Sequence, residues 1–73
     1  MQAIAMKVPY PAPATYAKLP TVEFPDRHVS YVIVSGVSNA VLEQCVAEVQ
    51  KAVNLQHRGS EPDQLVINFA SFL

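Results

Sequence analysis

Hydrophobic and polar positions divide the chain into segments of different period. Val29-Ser30-Tyr31-Val32-Ile33-Val34 is β-branched, aromatic and nearly all apolar, the pattern of a strand covered on both faces or central in its sheet. Ser35-Gly36-Val37 ends that run, and Ser38 has the side chain of a good helix N-cap. From Asn39 to about Leu55 the apolar residues Leu42, Cys45, Val46, Val49 and Val53 recur at spacings of three and four, bordered by Ala52, which predicts an amphipathic helix. Glu43, Gln44, Glu48, Gln50 and Lys51 form its polar side, with Glu48 and Lys51 three apart and mutually supportive. Gln56 to Gln64 is polar, contains Gly59, Ser60 and Pro62, and reads as loop. Leu65 to Leu73 is a second apolar run and predicts a strand.

The first 27 residues carry weaker signals. Gln2 to Val8 alternates, with Ile4, Met6 and Val8 on one side and Ala3, Ala5 and Lys7 on the other, as in a short strand. Thr21 to Phe24 alternates too, but Pro20 and Pro25 bracket it, so it predicts a short edge strand. Between them, Val8-Pro9-Tyr10-Pro11-Ala12-Pro13-Ala14 has alternate residues without an N–H and is expected to run extended, outside any helix interior or central strand.

The expected fold class is therefore α+β: a sheet of three or four strands with one packed helix, and a proline-rich extended N-terminal segment. The division expected is a proline-rich segment over 1–27 and a compact βαβ body over 28–73, within one domain. If the two strong strands are parallel, their crossover should be right-handed. One helix covers one face of such a sheet, so the other must be covered by the proline-rich segment, another copy or a partner.

Composition narrows the function. Of 73 residues, 51% are hydrophobic, and five basic and six acidic residues are scattered without runs to give a net charge of −1. A pI near 6.0 disfavours direct nucleic-acid binding, which calls for a basic face. There is neither an apolar run of membrane-spanning length nor a basic amphipathic helix, and the opening residues, broken by Pro9, do not form a signal peptide. A single cysteine, Cys45, permits no internal disulfide and fits a reducing compartment. The expected location is the cytoplasm, with no cofactor. His28 and His57 are too far apart in sequence to suggest a stapling metal.

Catalytic readings are weak. Cys45 lies on the apolar helix stripe, where a packing cysteine is favoured over a nucleophile. Asp26, His28 and a serine are triad residue types without a nucleophile-elbow pattern, and a turn into the strand is favoured. Ser35 to Asn39 joins a strand to a helix start but lacks the glycine spacing and lysine of a phosphate loop. His57 and Arg58 complement a helix C-terminus, with docking of an acidic partner as the sharper alternative.

The proline-stiffened leader is the more informative feature. Stiff segments lose little entropy on docking, and tyrosine and arginine dominate binding hot spots. Tyr10, Tyr16, Lys18, Arg27 and Arg58 are the expected partner-contact residues. Packing of the same segment over the open sheet face is an equal and compatible reading.

The tail Tyr10-Pro11-Ala12-Pro13, the body Val29 to Leu73 and the lack of a catalytic constellation together resemble the very small bacteriophage proteins that inhibit host RNA polymerase. That resemblance implies a non-enzymatic cytoplasmic regulator that occupies a polymerase surface, and it transfers no functional residue. Some such inhibitors are strongly acidic and this chain is not, which argues against mimicry of nucleic acid. The alternative is a self-associating assembly subunit that pairs through Leu65–Leu73. A small anion-binding α/β-sandwich enzyme ranks third.

Overall fold

The computed structural model describes residues 2–35, 38–57 and 59–68. Among them the chain forms β1 (Gln2–Pro9), β2 (Thr21–Phe24), β3 (Val29–Ile33), one α-helix, α1 (Asn39–Asn54), and β4 (Gln64–Asn68), with turns of 3-10 helix at Ala14–Tyr16 and Pro25–Arg27. The strands make one antiparallel sheet in the order β2-β3-β1-β4, so the fold is a small α+β domain.

The weakest predicted strand is the one the sheet is built around. β1 pairs with β3 from Ala5↔Ile33 to Pro9↔Val29 and with β4 from Gln2↔Asn68 to Met6↔Gln64. Both neighbours run antiparallel to it, so β3 and β4 are parallel to each other but do not touch as strands. The βαβ unit is thus split, with β1 in its gap. This corrects the expected division at residue 27: a body of 28–73 has no continuous sheet without β1.

Pro9 also lies in this interior strand, where a proline was not expected. Main-chain direction explains the exception. The Ile4 carbonyl accepts from Val34 on the β3 side, and the Lys7 N–H donates to the Asp63 carbonyl on the β4 side. By alternation the missing N–H of Pro9 faces the β4 side, beyond Gln64 where β4 begins, so no ladder bond is lost.

β3 is buried at all five positions, as its unbroken apolar run predicted. Its odd-numbered residues Val29, Tyr31 and Ile33 join Ala3, Ala5, Val22, Leu65 and Ile67 beneath Cys45, Val49 and Val53 of α1. Full burial of each such valine contributes about 1.5–3 kcal/mol before entropy is counted. Small Ala3 and Ala5, both 0% exposed, belong to the same core cluster as the helix residues. Ser38 occupies the N-cap position of α1 with extended backbone, but its hydroxyl makes no capping bond. Ser35 takes a different part: its Oγ accepts the Ile4 N–H at 2.7 Å and extends the ladder past the end of β3.

β1 and β2 are parallel with β3 between them, so the connection from Tyr10 to Pro20 must travel the length of β3. Its ends are fixed by the Pro9↔Val29 pair and by the Ile33 N–H donating to the Pro20 carbonyl at 2.9 Å. The helix occupies one face from Val22 to Ile67. On the other face Val8, Ser30 and Val32 are nonetheless buried, which places the connection there as their cover. It bends at Tyr10 and Pro11, with a cis peptide between them, is extended at Pro13 and makes a 3-10 turn at Ala14–Tyr16.

The remaining predicted elements hold within the described residues. β2 is an edge strand, and β4 spans Gln64–Asn68; residues 69–73, predicted to continue it, lie outside the described residues. No described helix is long and apolar enough to cross a membrane.

Candidate partner-binding surface

Two places gather side chains with something to offer. The first is an open cleft of about 420 Å³ at the Pro9 end of the sheet, lined by Lys7, Val8, Pro9, Arg27, His28, Val29, Gly59 and Glu61. The 3-10 turn at Pro25–Arg27 ends at His28 in the left-handed conformation, φ 56°, which swings the chain into β3. The same turn sends the Arg27 guanidinium toward the loop after the helix. It donates to Glu61 Oε1 at 3.3 Å and to the Gln56 carbonyl at 2.9 Å. Lys7 reaches the same loop, with Nζ 3.2 Å from Asp63 Oδ1 and 3.3 Å from the Glu61 carbonyl. From below, the buried Tyr31 hydroxyl donates to the Pro62 carbonyl at 2.6 Å.

These contacts clamp the loop before β4 to the sheet. Among the described residues the cleft's two strong cations, Lys7 and Arg27, are matched by Asp63 and Glu61. A hydrogen bond from its own backbone N–H holds the Glu61 carboxyl below the usual carboxylate range, and the Arg27 guanidinium adds to this against the opposing effect of burial. Burial pushes the Tyr31 phenol up, and Glu61 and Asp63 push it further. Among the described residues no serine or cysteine lines the cleft. Ser30, the nearest serine in sequence to Asp26 and His28, is fully buried, and among the described residues its hydroxyl has no hydrogen-bond partner. Cys45 is buried in the core, where desolvation raises its thiol. No group of three or more His, Cys, Asp or Glu among the described residues is placed to hold a metal.

The second place is the part of the helix-free face that the crossover leaves uncovered. Ile4 and Val66 are cross-strand partners, Met6 pairs beside Val32, and Val34 is hydrogen-bonded to Ile4. Their side chains share one face by alternation. Val66 is 54% exposed, Val34 43% and Met6 36%. Gln2, Gln64 and Asn68 fall on the same face at its ends, so an apolar strip lies within a polar rim. Leu19, also exposed, lies in the crossover.

The predicted contact residues distribute unevenly over these surfaces. Tyr10, Tyr16 and Lys18 all lie on the crossover, the tyrosines half-buried and the lysine exposed. Arg27 stands apart: its side chain is 13% exposed and its guanidinium is engaged within the chain. Arg58 lies outside the described residues. The strip residues Ile4, Met6, Val34 and Val66 were not among those expected. The alternation of β1 was legible, but nothing local tells which of its sides the helix covers.

No protein-family model, curated protein or solved structure matches this chain.

Proposed function

We propose that this chain is a non-enzymatic binding domain that docks a protein partner on the uncovered strip Ile4–Met6–Val34–Val66, with Tyr16, Lys18 and Leu19 at its margin. The observation that carries this reading is an exposed apolar strip rimmed by polar residues on a sheet face whose other half is covered. The proline-stiffened crossover supplies a margin that is already shaped before the partner arrives, which lowers the ordering cost of binding. The net charge of −1 and the matched ion pairs of the cleft speak for a protein partner over nucleic acid.

The mechanism is steric: a domain of this size bound to a larger machine blocks a channel or holds one conformation. The resemblance to phage inhibitors of host RNA polymerase makes a bacterial RNA polymerase, in the cytoplasm, the first partner to test. Purified polymerase is titrated with the full chain and with Met6→Glu, and promoter-dependent RNA synthesis is followed alongside binding. The wild-type chain should bind and suppress synthesis. Met6→Glu, which places an unpaired charge in the contact, should weaken binding by about tenfold or more with an unchanged far-UV spectrum. Equal binding by both chains would remove the strip from the interface, and no binding by either would remove the polymerase.

A further inference from the structure

The two edges of the sheet are not alike. β2 is short, bracketed by Pro20 and Pro25 and charged at Glu23, all devices that keep an edge from pairing. β4 has none of them: Gln64-Leu65-Val66-Ile67-Asn68 is without charge or proline. Among the described residues no strand pairs with its outer side. The Asp63 carbonyl points inward to the Lys7 N–H, so by alternation Leu65 and Ile67 bond inward to β1, while the Gln64 and Val66 main-chain groups point outward.

Beside this edge runs a groove of about 270 Å³ between strand and helix, with Glu48, Lys51, Ala52 and Leu55 on the helix side and Val66 and Ile67 on the strand side. Leu55 is 77% exposed. An acidic and a basic group one helical turn apart make a surface complementary to its own two-fold copy, because the axis reverses their order.

We infer that β4 is a homodimerisation edge. Two copies pair antiparallel through β4 about a two-fold axis at Val66, whose N–H and carbonyl bond reciprocally to those of Val66 in the second copy. The two sheets become one of eight strands. The α1 helices lie antiparallel on the same face, with Glu48 of each opposite Lys51 of the other and Ala52 and Leu55 closing the groove. This pairing stands on the edge and the groove, independently of what docks on the strip.

Sedimentation velocity on the full chain, from micromolar to millimolar concentration, tests it. The wild type should be a dimer in equilibrium with monomer. Val66→Pro removes the outward N–H while leaving the β1 ladder bonds in place, and should weaken dimerisation by about tenfold or more. Glu48→Lys, at a half-buried position beside the groove, sets like charges against each other across the axis and should weaken it too, while the exchange E48K/K51E should restore it. A wild type that stays monomeric at millimolar concentration overturns the proposal, as does a dimer that both Val66→Pro and Glu48→Lys leave intact.

Discussion

The Tyr31 hydroxyl, at the centre of the core, donates a 2.6 Å hydrogen bond to the Pro62 carbonyl and so ties the loop before β4 to the middle of the sheet. The ring beneath it is fully buried and meets Phe24 edge to face, centroids 6.2 Å apart. Tyr31→Phe keeps that packing and removes only the hydrogen bond. It should lower stability by about 1 kcal/mol, which in a domain of this size moves the melting temperature by roughly 4–8 °C. Thermal melts followed by circular dichroism measure this, and an unchanged midpoint would mean the loop is held without Tyr31.

The Glu61 carboxyl, held by its own backbone N–H and then by Arg27, gives the fold an acid limit. The Glu61 carboxyl is held below its ordinary value in the folded chain, so below that ordinary value the unfolded chain binds more protons than the folded one. Its contribution is present above about pH 4.3 and is lost as pH falls through the folded pKa. Stability should therefore decline on acidification in that range. Urea midpoints measured from pH 6 down to 2 should show a shallower decline in Glu61→Gln than in the wild type. Parallel curves would show that Glu61 titrates no differently in the two states.

Ser30 is the reverse case, a buried hydroxyl with no hydrogen-bond partner among the described residues. Removing an unsatisfied polar atom is neutral or favourable, since its desolvation cost goes with it. Ser30→Ala should leave the urea midpoint unchanged or raise stability by up to about 1 kcal/mol. A loss of that size instead would reveal a partner for the hydroxyl.

Deleting residues 1–20 removes β1 and the crossover together. Because β3 and β4 meet only through β1, the remainder should lose its cooperative thermal transition rather than persist as a smaller domain. A sharp melt and dispersed amide resonances in the truncated chain would contradict this.

Part of the architecture is legible in the sequence, and the rest is not, for definite reasons. The helix and β3 follow from periodicity because their own side chains fix which face is buried: Cys45, Val49 and Val53 at spacings of four, and the unbroken apolar run from Tyr31 to Ile33. The bracketing prolines of β2 likewise mark an edge. The role of β1 is not encoded locally. The helix side of β1 carries its alanines, Ala3 and Ala5, and leaves the larger Ile4 and Met6 on the other face, a choice that no local pattern reveals. Strand order depends on long-range pairing, which no window of residues contains. The clamp is hidden for the same reason: Arg27 and Glu61 are far apart in sequence, and each alone reads as a solvated loop charge. The uncovered strip was foreshadowed only as an unmet need, one helix for two faces, without the residues that would form it.

The pairing of Gln2 with Asn68 joins positions nearly the whole described chain apart, and it has a kinetic corollary. The central strand is the first made in sequence, yet half of its ladder waits for the last. The β2–β3 hairpin can pair locally, but the β1–β4 half of the sheet must close a long loop, and such topologies fold slowly relative to helical domains of equal length.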